Sequence, residues 1–156
     1  MDFSEVKLLI YDCDGVLTDN RVLVDENGKE SALFHRGDGY GVRLIRDLGI
    51  PQIIISTEVN PVVKHRAQKL KIEVLHSVED KATAVRNCCE KHGVETACAM
   101  FIGNDLNDYN AMMAVGFRGC PADAEPEIKA ISHWIAEKSG GFGVIRELCR
   151  LLYESR

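Results

Sequence analysis

The chain has 156 residues, 46% of them hydrophobic and 28% charged, and a formal net charge of -5. That length predicts a single domain over residues 1–156 with core enough to fold alone, and the composition is that of a soluble globular protein. No basic tract interrupts the mild acidity, which disfavours nucleic-acid binding, and no apolar run reaches the roughly 18 residues of a membrane span. With no signal peptide in view, the expected location is cytoplasmic, with no membrane partner.

Leu8-Leu9-Ile10-Tyr11 reads as a short buried strand of a parallel sheet. It runs into Asp12-Cys13-Asp14-Gly15, where two carboxylates sit at spacing i, i+2. Carboxyl ends of strands are where open α/β sheets bind ligands. Such a pair can surround one hard cation with oxygens. A bare D-x-D also occurs as an ordinary acidic turn, so its meaning depends on partners further along.

Arg21–Asp25 and Glu30–His35 flank an Asn27-Gly28 turn and predict a β-hairpin. Arg36-Gly37-Asp38-Gly39-Tyr40-Gly41 reads as a glycine-rich loop, followed by a helix from about Tyr40 to Leu48 with Gly49 at its end. Gln52–Ser56, with three successive isoleucines, predicts a strand covered on both faces. A helix from Asn60-Pro61 to about Leu70 follows. Val74–His76 is a short strand, and Lys81 to about His92 a helix closed by Gly93. Ala99–Ile102 is a further buried strand, leading into Gly103-Asn104-Asp105-Leu106-Asn107-Asp108. Beyond it come a helix over about Tyr109–Ala114, an extended segment at Phe117–Pro121, a helix over Glu125–Ala130 and a strand at His133–Ile135. Gly140-Gly141-Phe142-Gly143 reads as a mobile hinge before a last amphipathic helix, Val144–Tyr153. Alternating strands and helices predict an α/β fold, a three-layer sandwich with a mostly parallel Rossmann-like sheet and a protruding hairpin. The six cysteines (Cys13, Cys88, Cys89, Cys98, Cys120, Cys149) form no C-x-x-C pair, and small buried thiols in a reducing compartment are expected.

Strand ends collect the chemistry: Asp12 and Asp14, then Ser56, then Lys81 opening a helix, then Asn104, Asp105 and Asp108. Two carboxylates, a hydroxyl and a lysine at one sheet edge suit phosphoryl transfer. One carboxylate attacks phosphorus, the other handles the proton, and lysine and hydroxyl hold the non-bridging oxygens. An oxygen-ligated magnesium ion offsets the repulsion between the two anions.

In order and spacing these segments resemble the four motifs of the haloacid dehalogenase superfamily of phosphohydrolases. The likeness runs from Asp12-Cys13-Asp14-Gly15-Val16-Leu17-Thr18-Asp19 through Ser56 and Lys81 to Gly103–Asp108. The resemblance implies Asp12 as nucleophile and Asp14 as general acid and base. It implies phosphate binding by Ser56, Thr57 and Lys81. The magnesium ligands would come from Asp12, the Asp14 carbonyl, Asn104 and Asp105, with Thr18, Asp19 and Asp108 in support behind them. Asn104 departs from the aspartate usual in that motif, one negative charge fewer at the metal.

The gaps between motifs hold no cap domain. With His35–Gly41 and Gly140–Glu147, this resembles the capless branch that hydrolyses 8- or 9-phosphates of 2-keto-3-deoxy sugar acids, typically as homotetramers joined through their hairpins. Ser56-Thr57-Glu58, where octulosonate phosphatases usually carry Gly-Arg after the second motif, looks more like the phosphatase-like module related to acylneuraminate cytidylyltransferases. A nine-carbon acid of the nonulosonate (sialic acid) kind is therefore favoured, with the eight-carbon acid next. Glu58 and Arg66, eight residues apart on one helix face, and Gly39 are the candidate substrate contacts, Arg66 as a bidentate partner of the substrate carboxylate. The same resemblance carries a second role: a tetramerisation module for a fused or partner cytidylyltransferase, weakly active because of Asn104.

Overall fold

A computed structural model describes residues 1–156. Six parallel strands form the sheet: β1 (Leu8–Tyr11), β4 (Gln52–Ile55), β5 (Glu73–Leu75), β6 (Ala99–Ile102), β7 (Phe117–Cys120) and β8 (Trp134–Ile135). Their order across the sheet is β5-β4-β1-β6-β7-β8, so β1 lies centrally, with β4 and β6 on its two sides. Tyr11 is level with Ile54 and with Ile102, which brings the carboxyl ends of all three strands to one edge.

The central strands are buried on both faces because their residues alternate between two cores. Leu9, Tyr11, Ile54, Met100 and Ile102 pack under α1 (Arg36–Asp47), α2 (Val62–Leu70) and α6 (Val144–Glu154). Leu8, Ile10, Ile53, Ile55 and Phe101 pack under α3 (Lys81–His92), α4 (Tyr109–Met113) and α5 (Pro126–Ile131). Each such side chain taken fully from water contributes roughly 1.5–3 kcal/mol. The one hydroxyl in this set, on Tyr11, donates to Gln52 Oε1 at 2.8 Å, and Gln52 Nε2 donates to the Val42 carbonyl. The three layers and the absence of a cap domain agree with the sequence reading. Five of the cysteines are buried and Cys98 is half-buried.

Three local readings are corrected. The glycine-rich segment from Arg36 is not a loop: α1 begins at Arg36, four residues before the expected Tyr40. The cost of glycine in a helix is offset by packing, since a Cβ on Gly41 would lie 2.8 Å from the Ile145 carbonyl of α6. Asp38, 2% exposed, sits at this crossing and accepts from the Arg146 N–H at 3.0 Å. It thereby caps the first turn of α6, whose own N-cap residue, Gly143, has no side chain to do so. The second correction is the mobile hinge. Gly141 N–H donates to the Val16 carbonyl, Gly140 N–H donates to Asp123, and a Cβ on Gly140 would meet the Gly15 carbonyl. These glycines are packed against the loop after β1. The third is α2, which starts at Val62 with Pro61 as its N-cap, so Glu58 lies outside the helix and shares no helix face with Arg66.

Between β1 and α1 stands the hairpin, β2 (Leu23–Val24) paired antiparallel with β3 (Glu30–Ser31) as a separate two-stranded sheet. Asp25 builds its turn by accepting from the Asn27 and Lys29 N–H groups, both at 2.9 Å. Leu23 is 73% exposed and Leu33 75%.

Candidate active site

The first turn after β1 is shaped by its own backbone. Asp12 N–H still bonds to the Ile102 carbonyl, as if the strand continued. The Cys13 carbonyl then receives the N–H groups of Val16, Leu17 and Thr18, and Gly15 takes φ +83°. Thr18 Oγ1 donates to Asp14 Oδ1 at 3.2 Å and accepts from Gly15 and Asn20 N–H. Thr18 thus holds Asp14 from behind. Asp19 is turned away to pair with Arg21.

Opposite, the first residue of α3, Lys81, reaches under the sheet edge. Its ammonium lies 2.8 Å from Asp12 Oδ1 and 2.7 Å from Asp108 Oδ1. Lys81 is 3% exposed and Asp108 fully buried. Asp108 Oδ2 accepts from Asn104 N–H at 2.9 Å, which fixes the loop after β6. Asp12 Oδ1 also accepts from Cys13 N–H at 2.7 Å. Both protein donors therefore reach one oxygen of Asp12, and Oδ2 is left for the cleft. One of the three ammonium donors of Lys81 is likewise left over.

The charge balance of this group is unequal. Two buried carboxylates face one ammonium, so a net negative charge is held out of water. Burial, reinforced by Asp108, raises the Asp12 carboxyl against the pull of Lys81, a cost that a cation in the cleft would relieve. For Lys81, burial opposes the charge, but Asp12 and Asp108 outweigh it and hold the ammonium above its usual range. Asp14 is raised above the ordinary carboxylate range by its burial, which suits a group that must carry a proton to a leaving group.

Asp12, Asp14, Asn20, Thr57, Glu58, Asn104, Asp105 and Asn107 line one cleft, with no apolar side chain among them. The Asn104 Oδ1 atom is buried and has no hydrogen-bond partner. Gly15 packs against the other face of that amide, where a Cβ would clash. No three His, Cys, Asp or Glu side chains gather closely enough to hold a metal by themselves. The donors here are instead carboxylate, amide and backbone oxygens, a set suited to a hard cation. An orphaned amide oxygen beside an excess negative charge fits a divalent ion held by Asp12, the Asp14 carbonyl and Asn104.

Asp12, Asp14, Thr57, Glu58, Asn104 and Asp105 thus line one cleft, with Lys81, Asp108 and Thr18 bonded behind them. Ser56 is buried next to them and accepts from Glu58 N–H at 3.1 Å, which leaves its O–H free to donate. Two further candidates lie outside the cleft lining. Gly39 lies inside α1, where a Cβ would come within 3.2 Å of Leu70, and it does not line the cleft. Arg66 is held elsewhere: its guanidinium is 5.2 Å from the centre of the Phe34 ring and donates to the His35 carbonyl. Asn20 and Asn107 were not singled out from the sequence. Asn20 has φ +63°, a conformation that asparagine tolerates better than most residues; the Asp19-Asn20 pair after the first motif is the local signal for such a turn.

Residues 53–148 match the family of haloacid dehalogenase-like hydrolases. The chain is 33% identical over 150 residues to the 3-deoxy-D-manno-octulosonate 8-phosphate phosphatase KdsC of Escherichia coli, covering 96% of this chain and 80% of that one. It superposes with a TM-score of 0.95 and 31% identity on the 3-deoxy-D-manno-octulosonate 8-phosphate phosphatase of Moraxella catarrhalis, a structure containing a magnesium ion, a phosphate ion and a KDO molecule; 99% of this chain and 90% of that chain are covered. With the same score and 29% identity it matches the cobalt-bound deoxy-D-mannose-octulosonate 8-phosphate phosphatase of Haemophilus influenzae, over 99% and 91% of the two chains.

Proposed function

The chain belongs to the haloacid dehalogenase-like hydrolases, and from that premise we propose that it is a magnesium-dependent phosphatase of 2-keto-3-deoxy sugar-acid phosphates. The observation that carries this reading is the buried Asp12–Lys81–Asp108 chain, which presents a free Asp12 oxygen beside Asp14 in an all-oxygen cleft.

Asp12 Oδ2 attacks phosphorus, and the P–O bond to the sugar breaks as Asp14 gives its proton to the departing oxygen. The product is an aspartyl-phosphate on Asp12. Asp14, now ionised, takes a proton from a water that attacks the same phosphorus. The acyl-phosphate bond breaks, and Asp12 is restored with release of inorganic phosphate. Lys81 and the Ser56 and Thr57 hydroxyls hold the phosphate oxygens, and Asp108 fixes Lys81. Asp12, the Asp14 carbonyl and Asn104, with Asp105 near them, would hold magnesium, which would supply positive charge against the two anions.

The relatives with named substrates act on the eight-carbon 8-phosphate. The nine-carbon 9-phosphate reading rests on Thr57-Glu58 after Ser56 and on Asn104. The exposed Leu23 and Leu33 of the hairpin support a homotetramer. The test is phosphate release from eight- and nine-carbon keto-acid phosphates, with and without magnesium. Turnover of one of them that stops on chelation supports the reading. No turnover of any sugar-acid phosphate sinks it, and leaves assembly of a cytidylyltransferase as the role that Asn104 favours.

A further inference from the structure

We propose that the crevice opening from Asp14 between the hairpin and the start of α2 is a subsite that reads the uncharged, hydroxyl-bearing part of the substrate next to the phosphate, with Glu30 and Asn60 as specificity-determining residues; this rests on the phosphatase reading above. The crevice is continuous with the catalytic cleft, since Asp14, Asn20 and Glu58 line both. Its further walls combine Glu30, Ser31 and Asn60 with Val22, Ala32, Val62 and Val63. A polyhydroxylated chain has hydroxyls along one side and C–H groups along the other, and this lining matches both.

The polar groups are set for that task. Asn60 Nδ2 donates to Glu30 Oε2 at 3.1 Å, tying the hairpin to the loop after β4 across the crevice. Asn60 Oδ1 accepts from Val62 N–H at 3.0 Å, which fixes the amide. Glu30 Oε1 and the Glu58 carboxylate have no protein partner and remain acceptors for ligand hydroxyls. Apart from Lys81, whose ammonium lies behind Asp12 at the phosphate end, no lysine, arginine or histidine lines either the cleft or the crevice. The carboxylate of a sugar acid finds no counter-charge there and would face Glu30, Glu58 and Asp14. The neutral carbons next to the phosphate are therefore what this crevice holds, and the carboxylate end projects beyond it.

The experiment compares kcat/KM for a 2-keto-3-deoxy sugar-acid phosphate with that for p-nitrophenyl phosphate, which has no hydroxyls to read, in the 156-residue chain with magnesium. Glu30→Ala is expected to lower the ratio of the two by about 10- to 100-fold, the range for losing a hydrogen bond to a charged group. The loss should fall mainly on KM. Glu30→Gln, which keeps the shape, should lower the ratio less. Asn60→Asp should lower it too, by setting a second carboxylate against Glu30. An unchanged ratio in all three variants, with both substrates turned over, overturns the subsite and leaves the phosphatase standing. A wild-type chain that turns over neither substrate overturns both.

Discussion

The floor of the cleft and the hairpin above it are built in opposite ways. On the floor, Asp12, Lys81 and Asp108 are buried, short-bonded to one another, and placed by the strand ladder and the first turn of α3. In the hairpin, two residues per strand are paired, the apolar side chains face solvent, and Glu30–Asn60 is the hydrogen bond across to the body. The floor carries the chemistry, which tolerates little displacement. On the reading proposed above, selection and assembly fall to the hairpin, where a change need not disturb the floor. Buried floor and exposed rim are here separate stretches of chain, as expected where functional loops sit on a fixed sheet.

That contrast is tested first at Lys81. Lys81→Met leaves two buried carboxylates facing each other and should destabilise the fold by roughly 3–5 kcal/mol, read as a fall in the denaturation midpoint without added magnesium. A loss under ~1 kcal/mol would mean that the floor is not held by charge pairing.

A second rigid point lies away from the cleft, at Asp38. Asp38→Ala removes the cap of α6 and should cost about 1–3 kcal/mol. Burial raises the folded-state pKa of Asp38 above the ordinary carboxylate range. Its protonated form is thus favoured by folding, and that share of stability is lost as pH rises through the raised value. The deficit of Asp38→Asn relative to wild type should shrink with rising pH in chemical denaturation. A deficit that grows would reverse the sign.

Asn104→Asp adds a negative charge at the metal ligands and should tighten magnesium binding by about tenfold, on the order of 1.4 kcal/mol, measured by calorimetry. Unchanged affinity would remove Asn104 from the metal site. The smallest stability effect belongs to the hairpin. Leu23→Lys should shift stability by no more than about 0.5 kcal/mol, yet reduce the oligomer seen by sedimentation. Loss of the fold, or an unaltered oligomer, would end the separation of rim and floor.

Much of this was written in local sequence signals. The strand at Ala99–Ile102 and the helix at Lys81–His92 fall where the apolar run and the closing Gly93 set them, and the structure adds Asp80 as the N-cap of that helix. The carboxylates lie at strand ends because parallel sheets present them there. What the sequence concealed depends on long-range contact. Arg36–Gly41 looks like a loop until α6 packs against Gly41 and Asp38 finds the Arg146 N–H, 108 positions away. Arg66 looks free until Phe34 and the His35 carbonyl take it up. The crevice likewise needs Glu30 and Asn60 together, and nothing local in either one marks the pair.

In the proposed mechanism Asp12 becomes phosphorylated during turnover. Acid quenching of the chain with magnesium and a sugar-acid phosphate labelled at phosphorus tests it directly. An acyl-phosphate, released by hydroxylamine, should map to Asp12 and be absent from Asp12→Asn, whose turnover should fall by at least about 10³-fold. Turnover that persists in Asp12→Asn, or label carried by another residue, would contradict it.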